Sequence, residues 1–507
     1  MLDYRPDLDP RTPGLITDLQ EMVPTVRGYR SSYAANPYTS YLYALNSGTT
    51  LERPPTAVFA SRWLSTPGGI VIVGTNRKLS LFNYSTGFID VSKAAKYDLD
   101  TGITYPYGED ATASFDLCAF GDVIIACHPS TNTQKRSALD LTIATLFSDL
   151  TDGVTPPPKA ATCCVASNFV FLGNCASYST VTGSPDILAW SAIGDHVNWA
   201  VNPAITQASY AQFNDTPGPI TCVRPFRDGV LVFKASSMYL GRYAGAGTNS
   251  PIWDFVRVSD KVGCIGHQAY TDIDNAAVFV GRDDIYIFDG TRPVSITDGI
   301  RETLRPYLNF SGKIAMRLGH DRADTSVIFA SANARAYRWN YVLNRWGVMS
   351  EQTIVPCQTN STDFRTISSA TDGSGVTTYT TSSNHSGLDT MCFISRFPYE
   401  FHTQRSAAAR MVTGAIGKPD DISVLERVNP IFVRRPTSTS SVTLTVGTSR
   451  TPSDFTAQAA VTMGSAYRFD TLNTAGMATN FVQLQIDSTN DIEVVDLVPK
   501  FKGGGAR

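Results

Sequence analysis

The chain has 507 residues, 42% of them hydrophobic and 10% aromatic, which supplies a sizeable core and exceeds the length of one ordinary domain. Charged residues are only 17% against a usual ~25%, and they nearly cancel at −3 with no basic run of five, which argues against a protein that grips nucleic-acid phosphates. No apolar run approaches the ~20 residues of a membrane span, and residues 1–7 lack the apolar centre of a signal peptide, so a soluble chain folding in a cytoplasm is expected.

Residues 1–55 mix Pro, Asp and Tyr irregularly and read as an extended arm that packs against a neighbour. Leu15 and Met22, with Asp18 and Glu21 between them, predict one short helix in that arm. From Val58 a repeating unit takes over. An apolar run, a Gly or polar turn, and a second strand recur at 69–73 with 78–84, at 229–233 with 237–243, and at 326–330 with 334–339. The clearest copy is 277–280 followed by 281–290, where Gly281, Asp283 and Asp284 make one turn and Asp289 and Gly290 the next. Short strands joined by such turns every ~45 to 60 residues are the signature of propeller blades. Blade starts fall near Val58, Ser114, Ala161, Ile220, His267 and Ala315, with a degenerate copy near Arg365. Six or seven blades are therefore expected within 56–400.

Leu139, Ile143, Leu146, Phe147 and Leu150 stand at roughly helical spacing and predict a short helix over 137–150. Residues 359–386, rich in Ser, Thr, Gly and Asn, read as two weakly patterned strands around a turn at 372–375. Beyond 401 the stretches 424–433, 441–446, 481–486 and 492–498 alternate with period two. They predict a small C-terminal β domain over 401–507 with a flexible Gly-rich tail. The fold class is mainly β: an irregular β-propeller with an N-terminal arm and a C-terminal β domain.

Nine cysteines are an odd number without framework spacing. Cys118, Cys127, Cys222, Cys264 and Cys392 sit in apolar surroundings, where a free thiol behaves as a small core residue. The vicinal Cys163 and Cys164 are expected to place one side chain inside and one facing away. No Cys-x-x-Cys pair exists, so no zinc site is expected.

Chemistry-bearing clusters read as structure. Ser191, Asp195 and His196 lie within six residues, but Ser191 is not on a Gly-x-Ser-x-Gly elbow and a base so near in sequence rarely reaches its nucleophile. That segment reads as a turn clamped by Trp190 and Trp199. Asp272, Asp274 and Asn275 lack the Gly and distal Glu of a calcium loop. Asp283 and Asp284 read as turn residues that accept backbone hydrogen bonds. The histidines 128, 196, 267, 320, 385 and 402 share no ligand spacing. The sequon at Asn83 means little without a secretion signal. No catalytic residue, cofactor site or metal site is assigned, and no enzyme activity is expected.

The two ends add a resemblance. Gly14, Leu15, Ile16, Thr17 and Asp18, then 22–30 from Met22 to Arg30, resemble the opening of the tail hub or nozzle proteins of short-tailed bacteriophages. So do Gly74 and Thr75, Asp90 to Ser92, Trp190 to Asp195 with Trp199, 281–290, and Tyr341 to Gly347. The C-terminal strands with their Gly/Arg tail are similar as well. The chain departs from the family at Glu21, where an Asn is usual, and in its single terminal Arg507.

The resemblance implies a structural virion protein of the tail, assembled in the host cytoplasm. Its expected partners are its own copies in a homohexamer, a head-to-tail adaptor ring above, and tail fibre, tailspike or needle proteins below. Its lumen is expected to hold and release double-stranded DNA without sequence-specific contacts. The near-zero charge, the poorly charged surface, the lack of a catalytic constellation and the arm agree with that expectation. A propeller glycosidase acting on host surface polysaccharide is the alternative; it requires carboxylates converging on one propeller mouth. A scaffold of the WD type is disfavoured, because the lone Trp-Asp pair, Trp253 and Asp254, is not at a blade end.

Overall fold

The computed structural model describes residues 2–32, 36–37, 57–62, 69–75, 78–83, 87–93, 114–137, 145–151, 155–178, 181–182, 184–245, 252–308, 316–321, 324–331, 335–350, 354–356, 358–359, 367–371, 377–381, 392–394, 397–400, 409–418, 422–434, 442–463, 472–488 and 491–502. Among them, seven antiparallel sheets follow one another as blades. The first contains Ala57–Arg62, Gly69–Gly74, Leu79–Asn83 and Gly87–Asp90. The second contains Asp116–Phe120, Val123–Cys127, Gln134–Ser137 and Ser148–Asp149. The third contains Ala160–Ala166, Phe169–Cys175, Ile187–Trp190 and Ser209–Gln212. Ile220–Phe226, Gly229–Lys234, Met238–Tyr243 and Trp253–Ser259 form the fourth, and Tyr270–Ile273, Ala276–Val280, Ile285–Phe288 and Pro293–Ser295 the fifth. The sixth has Met316–Asp321, Ser326–Ser331, Ala336–Asn340 and Arg345–Ser350.

The seventh closes the ring. Ile354–Pro356, Cys392–Ile394 and Phe397–Glu400 take their fourth strand, Asn36–Pro37, from the N-terminal segment. Ile354–Pro356 lies between the first strands of the sixth and first blades. Gln358–Thr359 then pairs in parallel with Ala57–Arg62. The β-propeller is thus tied at its seam by two segments far apart in its own chain, Asn36–Pro37 and Gln358–Thr359. Strands Ile367–Thr371 and Thr377–Thr381 pair as the expected hairpin, while the turn at 372–375 lies outside the described residues.

Between blades the core is apolar and falls into successive clusters. Phe169, Phe171, Trp190, Val232 and Trp253 fill the space between the third and fourth blades. Phe233 stacks toward Tyr270 and Phe279 of the fifth at centroid distances of 5.9 and 4.9 Å. Because a blade is covered on both faces, its middle strands read as unbroken apolar runs instead of alternating ones. This corrects the reading of Cys163 and Cys164. Both are buried, Cys163 toward the second blade and Cys164 toward the fourth.

Two larger sheets are appended. Arg345–Ser350 of the sixth blade continues through Met22–Pro24, Tyr29–Ser31, Glu493–Lys502, Ser423–Arg434 and Leu472–Thr479 into one nine-stranded sheet. A second sheet runs Asp3–Tyr4, Leu15–Gln20, Ala409–Thr413, Phe481–Ser488, Val442–Ser449 and Thr456–Met463, with Ile416–Gly417 beside Phe481–Ser488. Leu19, Met411, Leu425, Leu444, Leu484 and Val494 belong to one core that also holds Phe279, Phe329 and Trp346 of the propeller. The C-terminal β domain therefore shares its interior with the fifth and sixth blades.

The expected helix over 15–22 is not formed. Leu15–Gln20 and Met22–Pro24 are strands separated by Glu21, whose φ is 51°. A bulge between Ile16 and Asp18 explains the error, since it buries Leu15, Ile16 and Leu19 at a spacing that imitates a helix face. The helix expected over 137–150 has strand residues at both ends, and 138–144 lie outside the described residues. The described α-helix is Arg301–Leu308, between the fifth and sixth blades, seated by the buried Ile300, Leu304 and Leu308. Its first turn is capped from the arm: Asp7 accepts hydrogen bonds from the backbone of Glu302 at 2.6 Å and Thr303 at 3.1 Å, and from the Thr303 hydroxyl at 2.6 Å. Asp7→Ala is expected to cost about 1 kcal/mol and to speed amide exchange in 301–308 ahead of the blades. Unchanged exchange there would mean that the cap contributes nothing.

Candidate functional site

The residues singled out from sequence do not assemble. Ser191 Oγ accepts from Val170 N at 3.1 Å and donates to Ala192 O at 2.9 Å, so it serves a turn. Asp195 accepts from Val197 N at 3.0 Å. His196 stacks on Phe120 at 5.4 Å, and burial pushes its pKa down. Trp199, fully buried, donates to His196 O at 3.0 Å, and Trp190 donates to Gln207 O at 2.9 Å. Asp272 is exposed and Asp274 holds a turn at φ 43°. Asp283 is exposed, whereas Asp284 is buried. Asp284 accepts from Ile285 N at 2.8 Å, from the hydroxyls of Ser295 and Thr297, and lies 3.5 Å from Arg301 Nε. His128 packs on Phe115 and His320 meets the Tyr341 hydroxyl at 3.2 Å. His385, His402 and Asn83's side chain lie outside the described residues or side chains. Among the described residues no group of His, Cys, Asp and Glu is arranged to hold a metal ion.

What sequence reading missed stands at the centre of the propeller, on the innermost strands. Asp116 of the second blade is fully buried and meets Arg224 of the fourth in a two-pronged pair at 2.8 and 2.9 Å. The third blade sits between them. The Thr162 hydroxyl donates to Asp116 Oδ2 at 2.6 Å, and Cys163 N donates to the same oxygen at 2.9 Å. Arg224 also donates to the carbonyls of Cys163 at 3.1 Å, Val223 at 2.8 Å and His267 at 2.7 Å, and lies over the Tyr270 ring at 6.0 Å. His267 Nε2 is 3.0 Å from Ser114 Oγ and 3.2 Å from Phe115 O. Since a carbonyl only accepts, Nε2 carries the proton.

The electrostatics follow from this enclosure. Burial pushes the Asp116 carboxyl up, but the Arg224 guanidinium overcomes it and holds it below the usual carboxylate range. Arg224 is likewise pushed down by burial and held up more strongly by Asp116. Burial lowers His267, which leaves it neutral near neutral pH. Cys163 Sγ lies 3.4 Å from Asp116 O, and although burial pushes its pKa up, hydrogen bonds with the Cys118 and Cys127 thiols pull it down to about 6. Burial pushes the nearby Cys164 and Cys222 thiols well up, which makes them inert core residues. The arrangement has no exposed nucleophile or base. It locks four consecutive stations of the ring and fills this part of the axis with side chains.

Other buried charges are equally internal. Arg338 is paired with Asp321 and Asp324 inside the sixth blade. A cleft of about 340 Å³ is lined by Arg282, Asp283, Arg301, Glu302, Arg305 and Leu308. With Asp284 behind Arg301, its three guanidiniums face three carboxylates, which leaves no net charge to select an ion.

No family model matches the chain, and no curated protein matches it. Solved structures that are similar include YCF48 bound to D1 peptide, at 7% identity and a TM-score of 0.38, covering 73% of this chain and 95% of that one. YCF48 from Cyanidioschyzon merolae is similar at 11% identity and a TM-score of 0.36, covering 73% and 98%. Likeness at this level carries no argument about function.

Asp116→Asn leaves Arg224 buried without its counter-charge and is expected to destabilise the chain by about 3–5 kcal/mol. Because the folded carboxyl titrates below its ordinary value, the pair's contribution is complete above about pH 4 and is lost as the pH falls through the folded value. Urea unfolding should therefore show the gap between wild type and variant flat from about pH 7 to about pH 4 and closing as the pH is taken lower. A gap that stays constant below about pH 4 would overturn the assignment.

Proposed function

We propose that the chain is a structural subunit of a short-tailed bacteriophage tail hub, or nozzle, whose copies together enclose the DNA path. The observation that carries this reading is where two resembling motifs meet. The N-terminal stretch 22–30 and the stretch 341–347 are more than 300 residues apart. In the fold Met22 pairs with Val348, the Tyr29 hydroxyl donates to Trp346 O at 3.1 Å, and an added Cβ on Gly347 would lie 2.7 Å from Met22 O. Motifs shared with that family thus form one joint, the one that fastens the appended sheets to the propeller.

The closed centre of the propeller supports a division of labour. With Asp116, Arg224 and His267 filling their part of the inner strands, the described residues there leave no bore for a duplex. A DNA path in this reading runs between copies, each contributing an outer wall. The low charge suits that wall, since phosphate affinity grows with each Lys or Arg neutralising a phosphate, and a strong grip would stall passage. The adaptor above and the fibres, spike or needle below would bind at the two ends of such a tube.

Light scattering on the eluting full-length chain, with electron microscopy of the chain and of phage particles, tests the reading. A ring of copies that is also present in the tail is expected. A monomer absent from particles, or release of sugar from host polysaccharide, would overturn it.

A further inference from the structure

Two rigid surface features keep aliphatic side chains in water, and they lie on opposite flanks. The first is the loop that joins the last two strands of the third blade. Ile193, Val201 and Ile205 are 43%, 40% and 78% exposed. The loop is nonetheless tightly tied. Ile193 N donates to Thr206 O at 3.2 Å, Gly194 N to Asn168 O at 2.8 Å, and both Thr206 N and Gln207 N to Asn202 O at 3.0 Å. Trp199 anchors it from below. Asp195 sits within it, and Asp228 lies across the Ser167–Asn168 turn, where the Ser167 hydroxyl donates to Asp228 O. Neither carboxylate has an ion-pair partner among the described residues.

The second feature is the tip of the hairpin between Met22–Pro24 and Tyr29–Ser31. Val26 is 74% exposed beside the exposed Arg27, which makes no ion pair among the described residues. This tip too is fixed. Thr25 N donates to Gly28 O at 2.8 Å, the Thr25 hydroxyl donates to Glu493 at 3.0 Å, and Gly28 lies so close to Val494 O that an added Cβ would come within 2.1 Å.

The hairpin hangs from the sixth blade and the loop from the third, three stations away around seven. Surfaces so placed on one subunit suit head-to-tail contact, in which one patch meets a different patch on the next copy. Their chemistry is complementary: an aliphatic knob beside the guanidinium of Arg27, and an aliphatic patch flanked by the carboxylates of Asp195 and Asp228, none of them in an ion pair among the described residues. Because both are held rigid, joining them orders little that is not already ordered.

We propose that the Val26–Arg27 tip of one copy seats on the Ile193, Val201 and Ile205 patch of the next, with Arg27 facing Asp195 and Asp228. This contact rests on the ring reading above and specifies one of its interfaces. Light scattering on full-length variants tests it. Ile205→Asp, Val26→Asp and Arg27→Glu should each weaken assembly by about tenfold or more, while their urea unfolding stays that of the wild type. Combining Arg27→Glu with Asp195→Lys should recover part of the loss. As a second measurement, mixed Val26→Cys and Ile205→Cys chains should form a disulfide-linked dimer that neither forms alone. A wild-type monomer would overturn the ring reading and this contact together. A wild-type ring unmoved by every variant would overturn this contact alone. Variants that keep the ring but lose another virion protein from particles would reassign the patch to that protein and also overturn the contact.

Discussion

The pair between Asp116 and Arg224 is the constraint that the propeller depends on. Innermost strands converge on the axis, where the gaps between blades are narrow and every polar group loses water. A carboxylate there is tolerable only if its oxygens are filled, and Asp116 has Thr162, Cys163 N and both prongs of Arg224. The guanidinium in turn spends its donors on carbonyls of the third blade, the fourth blade and the segment entering the fifth. A buried ion pair of this kind adds little net stability over an apolar filling, but breaking it is costly. Its effect here is positional. Phe and Trp contacts between blades tolerate small slips, while a two-pronged guanidinium whose two Nη groups make five contacts does not. One mutual arrangement of the second to fifth blades satisfies it.

A ring of sheets has a seam, and this chain closes it with segments from far apart in sequence. Asn36–Pro37 completes the seventh blade, and Gln358–Thr359 crosses to the first. The same N-terminal segment, a few residues earlier, supplies strands to both appended sheets and caps the helix before the sixth blade through Asp7. Arg30 meets Asp491 through two contacts at 3.0 and 2.5 Å, which ties that segment to the C-terminal strand as well. Much of what reads as a free arm is thus spent within its own subunit. Among its described residues, Asp9, 11–14 and the hairpin tip at Val26 and Arg27 are still presented outward.

The blades were legible because their physics is local. Apolar runs and Gly or Asp turns place strands within a few residues, and the starts read at Val58, Ser114, Ala161, Ile220 and Ala315 fall within two residues of strands in the fold. The axial pair was not legible, because Asp116 and Arg224 are 108 residues apart and meet only once the ring closes. One signal was available. Asp116 stands between Phe115 and Leu117, and Arg224 between Val223 and Pro225, each a lone charge within an apolar first strand. A charge in such a place must find its opposite elsewhere in the core. The misread helix over 15–22 failed for a different reason, since a bulge gave a strand the burial rhythm of a helix and the pairing strand, Ala409–Thr413, is remote.

In the proposed role, the filled part of the axis and the shared core together restrict how a subunit could act in a tube. Residues from the arm, the fourth to sixth blades and the C-terminal sheets belong to one apolar cluster, from Leu2 and Tyr29 through Phe279 and Trp346 to Leu484. Hinging one part against another would open that cluster to water, at roughly 25 cal/mol for each Å² of apolar surface exposed. Contacts between copies that bury only a knob and a patch are far cheaper to loosen. In the proposed role, a channel that first holds and later frees its contents is therefore best opened by shifts between subunits, each moving as a block. The place to look for a gate is then the boundary between copies, not the bore of any single propeller.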